Sequence, residues 1–172
     1  MPWRKRGREL LKKTFLLWPA LAVLLLDQIT KLWIASRLGL HETQPVISGF
    51  FNLVHVRNRG MAFGLMNRPG NDWGSLLLLG AALAAVALLL FWFYSLKSND
   101  RGLLLPLALI LGGAVGNLID RIRTGEVIDF LDFCIGPYHW PAFNAADSAI
   151  TVGTLWLAVK ILLHPTQTRK KA

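Results

Sequence analysis

The sequence predicts a mainly α-helical, polytopic membrane protein with four transmembrane helices and a small extracytoplasmic sheet. Of its 172 residues, 53% are hydrophobic, and the mean hydropathy is +0.43, above that of an ordinary soluble domain. Four apolar segments approach the roughly 20 residues that cross a bilayer. Positive charges are concentrated near the chain ends and in one short loop. We therefore expect a single integral membrane domain over residues 1–172.

The predicted spans differ in how clearly the sequence marks them. The second is the clearest, because "LLLLGAALAAVALLLFWFY" has no charged residue and ends in aromatic side chains suited to a headgroup boundary. The first follows a basic stretch, as a secretory signal does. No small-residue cleavage pattern follows Leu26, however, which predicts a retained span. We find no internal repeat of the kind that marks many transporters. The approximate spans are 14–35, 75–95, 103–121 and 146–163.

The distribution of Lys and Arg predicts the orientation of the chain. They crowd the N-terminal arm, the loop between the second and third spans, and the tail, so we expect both termini in the cytoplasm. Membrane topology accounts for the net charge of +9, and no nucleic-acid partner is predicted, because these residues are not interleaved with aromatics on one face.

A small sheet is predicted in the first outward-facing stretch, at about residues 40–70. "QPVISGFFNLVHVRNRG" combines β-branched and aromatic residues and ends in the turn signal Asn58-Arg59-Gly60. We call this predicted feature the cradle.

Candidate chemistry comes from acids that lie at or near the outer ends of the spans, or in the loop between the last two. Charges at that depth are costly and usually mark function or ion pairing. The five acids are Asp27, Asp120, Asp129, Asp132 and Asp147.

Three of these acids have structural alternatives. Asp120 could form an ion pair with the adjacent Arg121, and Asp27 could pair with Lys31 one helical turn later. Asp132 is expected to be a solvated or interfacial acid.

Asp129 and Asp147 have the strongest chemical interpretation. Seventeen residues separate them, so a fold could bring the two carboxyl groups together, where like charges would leave one protonated. Such a pair supplies a general base for water and a general acid for the leaving nitrogen of a peptide bond. Asn144 could also cap the fourth helix and place Asp147 at its third position.

Other types of catalytic site are less well supported, because the residues that they require are absent or scattered in the sequence. The histidines are scattered and form no zinc-hydrolase motif. Metal binding by carboxylates alone stays open, as do weak pairings of Ser148 with Asp147 and of Cys134 with His139. In "LGGAVGNLIDR", Gly112 and Gly116 form a small-residue face that predicts close helix packing beside Asp120.

Five short motifs, taken in order, resemble the lipoprotein signal peptidase (signal peptidase II) family. They are "DQITK" at 27–31, "NRGMAFG" at 58–64, "GGAVGNLIDR" at 112–121, "VIDF" at 127–130 and "FNAADSAI" at 143–150.

This resemblance implies an intramembrane aspartic endopeptidase of the bacterial inner membrane, with its active site near the periplasmic face. It would remove signal peptides from diacylglyceryl-modified prolipoproteins, cleaving immediately before the lipidated cysteine. Lipidated prolipoproteins and membrane lipid are the implied partners, and no metal or organic cofactor is implied. Oligomeric state is not predicted. A small proton-coupled transporter or a membrane assembly factor is the alternative.

The resemblance also assigns residues of this sequence to roles. Asp129 and Asp147 fall on the catalytic aspartates. The supporting or substrate-binding positions are Asp27, Asn58, Gly112, Asn117, Asp120, Arg121 and Asn144.

Overall fold

A computed structural model of the chain describes residues 2–60 and 72–163, with side chains for residues 7–60 and 73–163. These residues are mainly helical, with a small antiparallel sheet, which confirms the predicted fold class. In chain order the elements are α1 (Pro2–Phe15), α2 (Trp18–Arg37), β1 (Thr43–Ile47), β2 (Phe51–Asn58), α3 (Asp72–Ser95), α4 (Arg101–Thr124), β3 (Val127–Ile135), β4 (Tyr138–His139) and α5 (Ala145–Leu163).

The helices confirm a polytopic membrane protein. Within the described ranges, four helical stretches are long and apolar enough to cross a membrane. They overlap the four predicted segments, and the basic N-terminal arm is itself helical as α1. Apolar side chains such as Leu88 and Phe91 are largely exposed, as lipid-facing positions are. The stretches are Gly7–Arg37, Trp73–Ser95, Arg101–Thr124 and Ala145–Leu163.

Helix α4 is the centre of the bundle and packs against α2, α3 and α5. Its glycines make this close approach possible, as predicted. A Cβ atom at Gly112 would lie 2.5 Å from the carbonyl oxygen of Ala20, and one at Gly116 would lie 2.5 Å from Asp27 Oδ2. The backbone of Ala20 and the carboxylate of Asp27 therefore occupy the space that a side chain at Gly112 or Gly116 would need.

The described strands form one sheet in the order β1-β2-β3-β4. The predicted sheet is confirmed over β1 and β2, and its turn signal ends β2, where the Gly60 amide donates to Asn58 Oδ1 at 2.8 Å. Residues 61–71, which include most of "GMAFGLM", lie outside the described residues, as do His164 and the basic tail. Strands β3 and β4 were not predicted, although "VIDFLDFCI" has the β-branched and aromatic residues of a strand.

A buried apolar cluster joins the sheet to the bundle. Ile34 and Leu38, at the end of α2, pack with Phe130 of β3. Helix α4 leads into β3, and β4 leads into α5, at this same end of the bundle. The end of α2, the end of α4 and the start of α5 therefore lie next to the sheet.

Candidate active site

Backbone pairing between β3 and the residues before α5 brings the two motif acids to one location. The amides of Phe130 and Leu131 donate to the Phe143 carbonyl oxygen at 3.0 and 2.8 Å, and the Phe143 amide donates back to Leu131 at 3.1 Å. This pairing places Asn144 against Asp129, so that Asn144 Nδ2 donates to Asp129 Oδ1 at 2.7 Å.

Asn144 also holds Asp147. Its side-chain Oδ1 accepts from the Asp147 amide at 2.9 Å, and its own amide donates to Asp147 Oδ2 at 3.3 Å. This is a reciprocal cap of α5, which confirms the predicted cap. Asn144 is fully buried and Asp147 is half-buried. One asparagine therefore contacts both carboxyl groups.

The environment of Asp129 raises the pKa of its carboxyl group towards neutrality. Its side chain is buried between the sheet and the bundle, and this burial is the main cause that raises its pKa to about 6. Asn58 Nδ2 donates to Asp129 Oδ2 at 3.0 Å and lowers the pKa, whereas the nearby charge of Asp147 raises it. Asn144 and Lys31 also lower it, by smaller amounts.

A buried lysine connects the supporting residues. Lys31 Nζ lies 2.8 Å from Asp27 Oδ2 and 2.7 Å from Asp120 Oδ2, and it donates to Asn117 Oδ1 at 2.9 Å. Its side chain is 2% exposed, so this ammonium depends on these oxygens in place of water. The predicted pair of Asp27 with Lys31 is confirmed.

The predicted pair of Asp120 with Arg121 is wrong. Neighbouring residues on a helix do not face each other, so Asp120 points to Lys31 on α2. Arg121 Nη1 instead donates to the Asn117 carbonyl oxygen at 3.2 Å. Sequence reasoning treated Lys31 only as a partner of Asp27 and did not identify Gln28, which donates to Asp120 Oδ1 at 3.1 Å. A polar side chain inside an apolar span was the available signal.

The lysine fixes the orientation of Asn117, and Asn117 contacts Asp147. An ammonium group only donates, so the oxygen of the Asn117 amide must face Lys31. The nitrogen of the same amide then faces Asp147 and donates to its Oδ1 at 2.8 Å. Asp27 supports the same helix, because its Oδ1 accepts from the Ala146 amide at 3.0 Å. Of the predicted supporting residues, Gly112 does not join this polar network.

Asp132 was expected to be solvated or interfacial. It belongs to a second buried cluster, so the solvated alternative is wrong. Strand pairing places Asn52 opposite it, and Asn52 Nδ2 donates to Asp132 Oδ2 at 2.8 Å. Strand β4 brings His139 Nδ1 to 2.9 Å from both carboxylate oxygens. Cys134 is buried and free, and His139 faces Asp132. Among the described side chains, no three His, Cys, Asp or Glu residues group in a way that could hold a metal ion.

A cavity of about 610 Å³ opens beside Asp129 and Asn58. One wall carries Arg57 and Arg59, and both approach Glu126: Arg59 Nε lies 2.5 Å from Glu126 Oε1 and Arg57 Nη1 3.8 Å from Oε2. Asp129 therefore lies in the wall of an open cavity.

Together these features define a multi-pass membrane protein with a carboxyl-rich site at one end of its helical bundle. The sequence description of the signal peptidase (SPase) II family matches residues 19–163. The chain therefore belongs to the signal peptidase II family.

Similar proteins agree with this assignment. A lipoprotein signal peptidase of Syntrophus aciditrophicus is 51% identical over 81% of this chain and 87% of its own length. One from Oleidesulfovibrio alaskensis is 50% identical over 84% and 92% of the two chains. A solved bacterial membrane enzyme is similar with a TM-score of 0.76 and 31% identity, covering 89% of this chain and 95% of that chain.

Removing the buried ammonium should destabilise the protein strongly. Lys31→Met leaves Asp27 and Asp120 without their cation, and breaking a buried ion pair costs about 3–5 kcal/mol. Thermal unfolding of the purified chain measures this loss. Lys31→Met with Asp120→Asn should recover part of it, because one uncompensated charge is gone. The control is Lys97→Met at an exposed position. Equal melting temperatures for Lys31→Met and Lys97→Met would show that the network does not support the fold.

Proposed function

We propose that this chain removes signal peptides from diacylglyceryl-modified bacterial prolipoproteins and cleaves immediately before the lipidated cysteine. Membership of the signal peptidase II family and the relatives named lipoprotein signal peptidase support this substrate. The observation that carries the chemistry is the contact of Asn144 with both Asp129 and Asp147, which holds two carboxyl groups in one site.

The proposed mechanism is that of an aspartic endopeptidase. Asp147, half-exposed at the helix end, takes a proton from water, and the water oxygen attacks the scissile carbonyl carbon. Asp129, whose burial raises its pKa to about 6, supplies the proton that the leaving nitrogen needs when the carbon–nitrogen bond breaks. After the reaction Asp147 carries a proton and Asp129 does not. Transfer of a proton from Asp147 to Asp129 restores the starting state.

The remaining polar side chains position this pair. Asn144 and Asn117 donate to Asp129 and Asp147, respectively, and Asn58 holds the second oxygen of Asp129. Lys31 acts through Asn117, so it is a positioning residue. None of these donors needs to exchange a proton during the reaction.

The location of the carboxyl pair suits a substrate that carries a lipid. The carboxyl pair lies where α2 and α4 end and α5 begins, at the boundary between apolar helices and the sheet. A diacylglyceryl group in the bilayer would fix the depth of the adjacent peptide bond, so that positioning is gained before chemistry begins.

We propose that both termini are cytoplasmic and that the site faces the periplasm, because Lys and Arg are concentrated at the opposite end of the bundle. The check uses two exposed positions, Thr43→Cys and Asn99→Cys, in a Cys134→Ala background. An impermeant maleimide added outside spheroplasts should label only Thr43→Cys. Labelling of Asn99→Cys alone would show that the chain has the opposite orientation.

Loss of either carboxyl group should abolish cleavage. Asp129→Asn and Asp147→Asn keep the side-chain shape and should each lower kcat by about a thousandfold or more, because an amide neither accepts nor supplies the required proton. The double variant should lose little more, since residues that act as a unit are non-additive. The measurement is cleavage of a lipidated precursor by the purified variants.

The matched control is Asp132→Asn, three residues along the same strand and also buried. It should lower stability through Asn52 and His139 yet keep most of the activity of each folded molecule. A folded Asp129→Asn or Asp147→Asn variant that cleaves at near-normal rate would refute the aspartic mechanism.

The pH dependence of kcat/KM should have a limb near pH 6. Asp129 must carry its proton in this mechanism, so kcat/KM should fall as pH rises through the pKa of about 6. Asn58→Ala removes a hydrogen bond that lowers this pKa, so the limb should move to higher pH even if the maximal rate is reduced. A limb that stays in place in Asn58→Ala would contradict the proton assignment.

Cleavage should depend on the lipid of the substrate. A precursor without the diacylglyceryl group should show kcat/KM lower by about a hundredfold or more, because it lacks the group that holds the peptide at the bilayer boundary. The comparison uses one peptide sequence, lipidated and unlipidated, with the enzyme in the same detergent. Equal kcat/KM for the two would remove lipid recognition from the proposal.

A further inference from the structure

The N-terminal helix α1 lies outside the residues that match the signal peptidase II family, which begin at residue 19. It also lies at the end of the bundle away from the carboxyl pair. Helix α4 starts at Arg101 at this end and reaches Asp120 nineteen residues later, a rise of about 29 Å at 1.5 Å per residue. That is about the thickness of the hydrocarbon core of a bilayer. The two ends therefore face opposite leaflets.

Helix α1 is docked on the end of α3 and on the loop that follows. The buried Lys13 donates from Nζ to the Tyr94 carbonyl oxygen at 2.6 Å, satisfying an acceptor at the end of α3. Ser98 Oγ donates to Glu9. These two contacts hold α1 beside the α3–α4 loop, so it forms a wall of this end of the protein.

A cavity of about 530 Å³ lies between α1 and that loop. Its polar lining consists of Lys12, Ser98, Asn99 and Arg101. Lys12, Asn99 and Arg101 have N–H groups that suit phosphate oxygens, whereas the Ser98 hydroxyl donates to Glu9. Its apolar lining includes Phe15. A second cavity, of about 490 Å³, shares Leu11 and Phe15 with the first and continues along Leu17, Trp18 and Leu21. The two cavities together therefore form a site with a cationic part and an adjoining apolar part.

Charge at this end favours an anion. Residues 2–15 and 96–101 contain eight Lys and Arg but only two acids, Glu9 and Asp100. Neither acid lines the cavity of about 530 Å³, whereas Lys12 and Arg101 both do. Basic residues beside a membrane-spanning helix attract anionic lipid headgroups.

We propose that this cavity binds the headgroup of an anionic phospholipid from the leaflet opposite the carboxyl pair. Its phosphate lies between Lys12 and Arg101, and one acyl chain follows the apolar cavity past Phe15 and Trp18. The site is separate from the proposed peptidase reaction, so it stands or falls independently of that function.

The test measures lipid binding to the purified full-length chain by native mass spectrometry, with dioleoylphosphatidylglycerol and dioleoylphosphatidylcholine as competing probes. Phosphatidylglycerol should bind about tenfold more tightly. Lys12→Gln and Arg101→Gln should each weaken its binding about fivefold. Both positions are exposed, and circular dichroism verifies that the variants are folded.

Lys97→Gln is the matched control, because it removes the same charge from the same loop at a residue that does not line the cavity. Its effect should stay under about twofold. An equal loss in Lys97→Gln and Arg101→Gln would reduce the effect to general surface charge and overturn the site. Equal binding of the two lipids would overturn it as well.

A second pair of measurements separates a phospholipid from its headgroup alone. Trp18→Ala changes a residue that lines only the apolar cavity, so it should weaken binding of dioleoylphosphatidylglycerol but leave a dihexanoyl analogue nearly unchanged, because only the long chain reaches that cavity. Glycerol 1-phosphate at the same concentration should not displace the dioleoyl lipid. Displacement by glycerol 1-phosphate would show a simple anion site and refute the lipid assignment.

Discussion

The rest of the structure depends on one buried ammonium group, that of Lys31, held between the carboxylates of Asp27 and Asp120. Such a group is tolerated in a dry interior only when its hydrogen-bond partners are in place. Helices α2 and α4 must therefore approach closely, which requires a residue without a side chain at Gly116. The same ammonium determines which end of the Asn117 amide faces Asp147. Fold and site orientation thus follow from a single electrostatic requirement.

The two proposed catalytic carboxyl groups come from different kinds of structure. Asp129 stands on a strand, where burial against the bundle raises its pKa. Asp147 belongs to the first turn of a helix, where it accepts hydrogen bonds from the amide groups of Asn117 and Asn144. Two chemically identical side chains are thus set in contrasting surroundings. Asn144 links those surroundings because it ends the strand-paired segment and begins the helix.

The features that the sequence predicted correctly depend on residues that are close together along the chain. The apolar spans, the cap by Asn144 and the pairing of Asp27 with Lys31 all follow from positions three or four residues apart or from continuous runs. The errors concern partners that only tertiary structure supplies. Asp132 is buried because β2 and β4 bring Asn52 and His139 to it, and Asp120 finds Lys31 across a helix interface. The catalytic roles of Asp129 and Asp147 stay predictions.

Because of the reciprocal cap, the position of the Asp147 carboxyl group depends on the local stability of the first turn of α5. Helix termini open more readily than helix centres, at free energies well below that of global unfolding. If the first turn of α5 opens, Asp147 leaves Asn144 and Asn117, and the Ala146 amide leaves Asp27. The fraction of molecules with an assembled site is therefore set by a local equilibrium. Heat or denaturant would reduce that fraction before any change in overall helix content became visible.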